Sequence, residues 1–384
     1  MTNIPVQIDY QWIDSDQRLA EVCAKAAERS VVALDTEFIR TRTFYPKLGL
    51  IQLYDGEQLC LIDPLAISDF TPFVELLKNH CVLKVLHACS EDLEVFAHYF
   101  KQMPTPMIDT QIMADFMGFN SSMGFAALIS HYFDITLDKG ASRTDWLARP
   151  LSDEQLRYAG ADVYYLLPLF CQMREGLKTH WQSAVMEECD YLCEKTTRVL
   201  KPELAYLNIG NAWRLQGERL LALKLLAQWR LNLAMENDIA LNFIIKETAL
   251  FNAAKAMIKQ PAALSEFGVH PQTTRLYGKK IVQLIAQAQK ASAESHPQAI
   301  DQIATQADYK KRMKFMQHQL ESLIPENIAK ERLASRKWLH QLIKWHWYNP
   351  AQDLPLPRLL QGWRAPFGEA LLASTAIAES AHAD

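Results

Sequence analysis

The stretch VVALDTEFIR, residues 31–40, places two carboxylates directly after a run of apolar residues. The run Val31 to Leu34 predicts a buried strand, and side chains on a strand alternate between its faces. Asp35 and Glu37 therefore point to the same side of the sheet. Two like charges at this separation repel each other, and each loses hydration near a core. In the folded chain the negative charge of Asp35 and Glu37 must be offset, and the candidates are Lys or Arg side chains, water, or metal ions.

The length and composition of the chain indicate a globular protein of several domains. Its 384 residues predict two or three domains, and 49% hydrophobic and 22% charged residues are typical of soluble proteins. The sequence has no apolar run of about 18 residues, no signal-peptide pattern and no Cys-x-x-Cys pair, so we expect a cytoplasmic, reduced protein without membrane contact. Cys189 and Cys193 are expected to be buried or half-buried thiols. The formal net charge of −4 argues against indiscriminate nucleic-acid binding but leaves room for local basic patches.

The first half of the chain alternates strand-like and helix-like segments. SVVALDTEF, LGLIQLYDG and QLCLIDPL are short and apolar, and they predict three neighbouring antiparallel strands joined by tight turns. CVLKVLHA predicts a further strand that leads into a helix with Ser90 as its cap, and Asp109 and Ser122 are expected to cap the next two helices. This order of elements predicts a mixed sheet flanked by helices, an α/β domain.

A later helix carries two polar side chains on one face. It is predicted from LSDEQLRYAGADVYYLL, in which Ser152 and Gln155 form a capping-box pattern. Pro168 should kink or end this helix, because proline cannot donate to the carbonyl four residues before it. Tyr158 and Asp162 are four residues apart and therefore share a face.

From about residue 176 the strand patterns vanish and the sequence is helical throughout. A short internal similarity recurs 84 residues apart: Lys246-Glu247 matches Lys330-Glu331, and Leu276-x-Gly278 matches Leu360-x-Gly362. This similarity indicates either a duplicated module or a chance match between two helical segments.

Two further acidic positions complete a pattern with Asp35 and Glu37. Asp92 opens a helix after a strand, where the helix dipole favours a carboxylate, and Asp162 lies on the later helix beside Tyr158. Each position alone is compatible with a structural role. Together they can converge at the ends of the strands, where open sheets bind ligands. Four carboxylates form an oxygen-rich site of the kind that Mg²⁺ or Mn²⁺ prefers.

The order Asp-x-Glu, Asp, Tyr-x-x-x-Asp resembles the DEDD superfamily of 3′→5′ exonucleases, in its tyrosine-bearing branch. The segments ALDTEFIRTRTFYPKLGLIQL, HACSEDLEVF and ARPLSDEQLRYAGADV are similar to the bacterial ribonuclease D family, and ALNFIIKETAL resembles the start of an HRDC module. The resemblance implies a ribonuclease H-like α/β nuclease domain followed by two all-α HRDC-type domains, which favours duplication for the repeat. The implied ranges are 1–175 for the nuclease domain, 176–207 for a helical connector, 208–290 for the first HRDC domain and 296–375 for a more divergent second one.

The resemblance also implies an activity and its cofactors. The chain would be a 3′→5′ exoribonuclease that releases 5′-mononucleotides and trims the 3′ ends of tRNA precursors and other structured RNA. Its cofactors would be two divalent ions, Mg²⁺ or Mn²⁺, about 4 Å apart, with no organic cofactor. RNA would be the partner, and a monomer is expected. The implied catalytic residues are Asp35, Glu37, Asp92, Tyr158 and Asp162, of which the four carboxylates would bind metal and Tyr158 would orient the attacking water.

The resemblance also makes several residues candidates for contact with the substrate. Thr36 and Glu37 are candidates for the 3′-terminal ribose, and His87, Arg40 and Lys139 are further candidates for substrate binding. Arg42, Lys47, Arg143 and Arg149 are candidates for phosphate contacts, although single basic residues are more often solvated surface charges.

A DNA 3′→5′ exonuclease of the same superfamily and a non-catalytic RNA-binding scaffold are the alternative functions. The sequence lacks a polymerase-like or Walker segment, which disfavours the first, and its intact acidic positions disfavour the second.

Overall fold

The structure is a computed structural model that describes residues 8–138, 140–300, 302–352 and 354–380. The chain divides into two compact units. The first unit contains the residues up to Ile39, Leu48–Thr197 and the residues from Gln306 onward, and the second contains Arg40–Lys47 and Arg198–Thr305. Within the described residues, none of the helices has the length and apolar character needed to span a lipid bilayer.

A mixed sheet, six-stranded over the described residues, forms the centre of the first unit. Its strands are β1 Gln11–Ile13, β2 Val31–Ile39, β3 Lys47–Tyr54, β4 Leu59–Ile62, β5 Leu83–Leu86 and β6 Met107–Asp109. Their order across the sheet is β1-β4-β3-β2-β5-β6. β4 runs parallel to β1 and antiparallel to β3, and β5 runs parallel to both β2 and β6. The predicted mixed sheet is confirmed, and β1 is an additional strand that the sequence patterns did not indicate.

Helices flank this sheet in the first part of the chain. They are α1 Asp16–Ala26, α2 Thr71–Lys78, α3 Ser90–Val95, α4 Thr110–Asp115, α5 Phe125–Phe133, α6 Asp153–Gly176 and α7 Gln182–Thr197. A turn of π-helix, Phe96–Phe100, extends α3. On α7, Cys189 and Cys193 are buried free thiols, as predicted.

Two predicted helix caps are confirmed by the structure. The carboxylate of Asp109 accepts a hydrogen bond from the backbone N–H of Gln111 at the start of α4. Ser152 and Gln155 form both reciprocal bonds of the capping box that begins α6. α6 nevertheless continues through Pro168 to its last residue, so the expectation that this proline could end the helix is wrong.

Two other predicted caps are wrong. The residue before α3 is Cys89, and no side chain caps this helix, so Ser90 is not its cap. Just before the helix, the Asp109 carboxylate accepts hydrogen bonds from the backbone N–H groups of Ala88 and Cys89. α5 likewise begins after Gly124 without a side-chain cap, and Ser122 lies in the preceding turn with a positive φ of 61°.

The segment that leads into α6 is fixed to the sheet. Arg149 donates hydrogen bonds to both carboxylate oxygens of Asp63, just beyond β4, and to the carbonyl oxygen of Gly49 on β3 at 2.7 Å. A Cβ at position 49 would lie 2.5 Å from the carbonyl oxygen of Trp146, so only glycine permits this close approach. Arg149 is therefore a structural anchor for the start of α6, which corrects its interpretation as a solvated charge or a phosphate contact.

The second unit is a small helical bundle with its own apolar core. It contains α8 Gly217–Asn237, α9 Leu241–Ile244, α10 Glu247–Ala256, a 3₁₀ helix Pro261–Phe267 and α11 Pro271–Lys290. The loop between β2 and β3 belongs to this unit. Its Tyr45 N–H donates to the Asp238 carboxylate, and its Arg42 carbonyl accepts from the Ala240 N–H, both at 2.9 Å.

The C-terminal helices repeat this order of elements within the first unit. They are α12 Tyr309–Leu323, α13 Lys330–Leu333, α14 Arg336–Gln352, a 3₁₀ helix Arg358–Leu360 and α15 Ala365–Ser380. α13 and α14 each begin 89 residues after α9 and α10. In each module a glycine of the last helix approaches the preceding 3₁₀ helix: a Cβ at Gly278 would lie 2.8 Å from Pro261, and a Cβ at Gly368 would lie 2.0 Å from Leu359. The duplication is thus visible in the fold.

The residue pairs that suggested the repeat are, however, not equivalent. Lys246 precedes a ten-residue helix, whereas Lys330 opens a four-residue helix. Gly278 lies inside α11, whereas Gly362 lies before α15. The register of 84 residues is therefore wrong, and the equivalent helices begin 89 to 97 residues apart. Single-residue matches drift along the chain because the connecting loops of the two modules differ in length.

A buried ion cluster joins the C-terminal helices to α7. Glu188 on α7 is 2% exposed, and its carboxylate accepts hydrogen bonds from Arg364, Arg358 and Arg332 and from the indole N–H of Trp363. Although burial raises the pKa of Glu188, the hydrogen bond and charge of Arg364, together with Trp363 and Arg358, hold it at about 2. The C-terminal helices are thus tied to α7 by a buried glutamate that three arginines share.

We expect Glu188→Gln to lower the free energy of unfolding at pH 7 by about 3–5 kcal/mol, because it leaves buried guanidinium groups without their counter-charge. A depressed carboxyl pKa stabilises the fold above the unfolded value near 4.5, and this stability is lost as the pH falls towards about 2. Chemical denaturation between pH 7 and pH 3 should therefore show the difference between wild type and variant shrinking in acid. The exposed Glu194→Gln, on the same helix, is the matched control. A difference that is small at pH 7, or that persists unchanged at pH 3, would contradict the assignment.

Candidate active site

Three carboxylates meet at the end of β2. One oxygen each of Asp35, Glu37 and Asp162 lies within 4.8 Å of the other two. Asp35 and Glu37 share one side of the strand through its alternation, and α6 brings Asp162 to them because it packs against β2. On α6 itself, Ala159 and Val163 are fully buried, which fixes the rotation of the helix about its axis. The predicted convergence of these three residues is thus present in the structure.

Asp92 approaches the same point from a different element. It lies in the first turn of α3, directly after β5, and β5 runs parallel to β2 with Ala33 paired to Val85. Asp92 is 8% exposed, and its carboxylate accepts a hydrogen bond from the hydroxyl of Thr36. It is not a member of the three-oxygen group, yet its charge acts on all three members.

Burial and mutual repulsion raise the pKa of every carboxyl group in this cluster. The pKa of Asp35 lies well above its ordinary value, because of burial first and then the charges of Asp92, Asp162 and Glu37. Burial followed by Asp162 and Asp92 raises the pKa of Glu37 to about 9. Burial raises the pKa of Asp162 to about 7 and that of Asp92 to about 6.

Among the residues that the structure describes, no basic side chain compensates this charge. Over the described residues, no Lys or Arg forms an ion pair with Asp35, Glu37, Asp92 or Asp162. The donor set consists of carboxylate oxygens, with no His or Cys in the group, and this is the ligand chemistry of hard divalent cations. The residues present therefore fit a divalent metal ion. Of the three candidates for compensation in the VVALDTEFIR stretch, water and metal ions remain.

Tyr158 lies beside this cluster on α6. Its hydroxyl donates a hydrogen bond to Asp162, and its ring packs against Trp146 with 6.2 Å between the ring centroids. Burial, followed by the charges of Asp162 and Glu37, raises the pKa of Tyr158. The phenol is therefore a protonated hydrogen-bond donor at neutral pH. Trp146 is a support that no sequence motif indicated.

A cavity of about 410 Å³ opens on the flank of the cluster. Tyr158 and Asp162 form part of its wall, together with Ile135, Arg157 and Tyr165. This volume lies within the range of about 300–1,000 Å³ that is typical of small-molecule pockets. The carboxylate cluster thus borders a space large enough for part of a ligand.

The candidate substrate residues lie in different surroundings. The Thr36 hydroxyl faces Asp92 and the residue is 4% exposed. His87 Nδ1 contacts Thr110 at 2.9 Å, and its Nε2 is buried without a hydrogen-bond partner in the structure. Arg40 is exposed and donates to the Phe44 carbonyl in the loop after β2. Lys139 lies outside the described residues. Substrate contact by these four residues stays a prediction.

Comparison with known proteins identifies the nuclease domain and the two helical modules. A model of 3′–5′ exonuclease domains matches residues 10–178, a model of HRDC domains matches residues 220–285, and a model of the C-terminal HRDC domain of ribonuclease D matches residues 307–372. Together these matches cover the nuclease fold and both helical modules.

Individual relatives are similar over nearly the whole chain. The chain is 48% identical to ribonuclease D of Haemophilus influenzae, over 94% of this chain and 92% of that protein. It is 43% identical to ribonuclease D of Escherichia coli, over 93% of this chain and 96% of that protein. The crystal structure of Escherichia coli RNase D, described as an exoribonuclease involved in structured RNA processing, superposes with a TM-score of 0.90 at 41% identity, over 95% of this chain and 99% of that one. The chain therefore belongs to the ribonuclease D family of 3′→5′ exoribonucleases.

Proposed function

We propose that this chain removes nucleotides one at a time from the 3′ end of RNA, at the cluster of Asp35, Glu37, Asp92 and Asp162, and releases 5′-mononucleotides. The observation that carries the proposal is the meeting of Asp35, Glu37 and Asp162 oxygens within 4.8 Å, without a basic counter-charge among the described residues. Buried carboxylates without counter-charges are costly, and a divalent cation that binds to their oxygens relieves this cost.

The four carboxylates would hold two divalent ions, Mg²⁺ or Mn²⁺. Asp35 lies centrally and would be shared, with Glu37 and Asp162 completing one site and Asp92 contributing to the other. When bound, such ions lower the pKa of an attacking water and neutralise charge on the scissile phosphate and leaving oxygen. The task of this chain's residues is to stay ionised and fixed in position while the RNA end is bound.

Tyr158 would orient the attacking water. Its raised pKa keeps the phenol protonated, so it serves as a hydrogen-bond donor and not as the base. Its bond to Asp162 holds the hydroxyl at the edge of the cluster, and Trp146 supports the ring from behind.

The proposed substrates are 3′ extensions of structured RNA such as tRNA precursors. The family membership favours RNA over the DNA exonuclease alternative, and the intact carboxylate cluster disfavours a silent scaffold. We further propose that Mg²⁺ or Mn²⁺ is the resident ion and that the chain acts as a monomer in the cytoplasm.

Incubation of a 5′-labelled, 3′-extended tRNA with the protein and Mg²⁺ should give a ladder that shortens by single nucleotides, and chelator should stop it. Asp35→Asn should reduce the rate by more than about 100-fold, because loss of groups that merely support metal ligands already costs 10–100-fold. Binding of the same RNA should persist in this variant. A single internal cut, or cleavage that survives the substitution, would exclude the assigned site. Substrates ending in a 2′-deoxynucleotide would separate RNA from DNA specificity.

Neutralising Glu37 should stabilise the metal-free protein while it removes activity. Because the pKa of Glu37 is about 9 in the fold and lower in the unfolded chain, folding at pH 8 requires this side chain to take up a proton. Glu37→Gln removes that requirement, so we expect the free energy of unfolding in chelator at pH 8 to rise by about 1 kcal/mol. Added Mg²⁺ should stabilise the wild type but have little effect on the variant. Calorimetry with and without chelator measures both effects, and Glu175→Gln at the exposed end of α6 is the control. A variant less stable than wild type in chelator would contradict the electrostatic account.

Tyr158→Phe should slow kcat by up to about 100-fold, since it removes the donor that orients the reacting water. The phenyl ring keeps its packing against Trp146, so the affinity for Mn²⁺ should stay close to that of wild type. Tyr164→Phe, on the same helix but packed against Tyr54, is the matched control. Single-turnover kinetics and Mn²⁺ titration separate the two effects. An unchanged rate would remove Tyr158 from the mechanism.

A further inference from the structure

Thr36 lies between Asp35 and Glu37 in the sequence, but its side chain contacts a different carboxylate. Strand alternation directs it away from the side shared by Asp35 and Glu37. Its hydroxyl donates a hydrogen bond to Asp92 on α3, 56 positions later in the chain. The residue is 4% exposed, so this contact is shielded from bulk water. Thr36 on β2 is thus hydrogen-bonded to the Asp92 carboxylate on α3.

The contact restricts the orientation of Asp92. The hydroxyl occupies Oδ1 of the carboxylate, and the backbone N–H groups of Asp92 and Thr36 also donate to this carboxylate. A hydroxyl carries one proton, and here it is committed to Asp92, so Thr36 can offer a ribose only an acceptor. This geometry favours a role towards Asp92 over the direct ribose contact expected from the sequence.

We propose that Thr36 is a positioning residue that fixes Asp92 next to the three-oxygen group and thereby maintains the second of two cation positions. The inference rests on the proposed two-ion function. Groups that hydrogen-bond to metal ligands orient them, and their removal commonly weakens binding by about 10–100-fold. The Thr36 hydroxyl has this relation to Asp92, whereas it is the Thr36 backbone N–H that donates to Asp35.

The test is Mn²⁺ binding to the full chain without RNA, followed by electron paramagnetic resonance and calorimetric titration. Wild type should bind two ions. Thr36→Val, which keeps the shape but not the donor, should bind the first ion normally and the second about 10–100-fold more weakly. Thr36→Ser, which keeps the hydroxyl, should bind both ions with affinities close to those of wild type. Asp92→Asn should lose the second ion, and it serves as the reference for complete loss of that site.

The outcomes distinguish this inference from the proposed function. If Thr36→Val binds both ions as wild type does while Asp92→Asn loses one, the role of Thr36 is overturned and the two-ion site stands. If Thr36→Ser behaves like Thr36→Val, the hydroxyl is not the cause and the inference also fails. Wild type that binds a single ion overturns both. Melting curves in chelator show whether each variant is folded before the titrations are compared.

Discussion

Repulsion among carboxylates at the end of β2 is the constraint around which the first unit is built. Asp35 and Glu37 come from one strand, Asp162 from α6 and Asp92 from α3, so three elements must be held against an unfavourable electrostatic term. Raised pKa values at all four groups are the thermodynamic signature of that strain. Strain of this kind persists only where the surrounding packing over-determines the geometry.

The packing that resists this strain is remote from the carboxylates. Arg149 fixes the segment before α6 to Asp63 and to the backbone of Gly49, and the capping box then sets where the helix begins. Trp146, in the same segment, supports the ring of Tyr158. The position of Tyr158 and Asp162 thus depends on hydrogen bonds to β3 and β4, which lie on the other side of β2 from the parallel strands.

Two glutamates of the same chain, Glu188 buried and Glu37 half-buried, lie in opposite electrostatic surroundings. Glu188 meets three guanidinium groups, its pKa is held at about 2, and it joins the C-terminal module to α7. Glu37 meets other carboxylates, its pKa rises to about 9, and it belongs to the candidate metal site. Burial disfavours the charged form of both glutamates. The neighbouring charges make the difference: arginines stabilise the ionised Glu188, and carboxylates raise the pKa of Glu37.

Short-range periodicity in the sequence sufficed to place Asp35 with Glu37, and Tyr158 with Asp162, because strand and helix geometry relate residues two and four positions apart. It also sufficed for the capping box at Ser152 and for the α/β character of the first half. Tertiary structure alone decided the bond from Thr36 to Asp92, the anchoring role of Arg149 and the Arg cluster on Glu188, whose partners lie 56 to 176 positions apart. The physical reason is that such pairs depend on how elements pack, and no local rule of backbone geometry connects residues so distant along the chain.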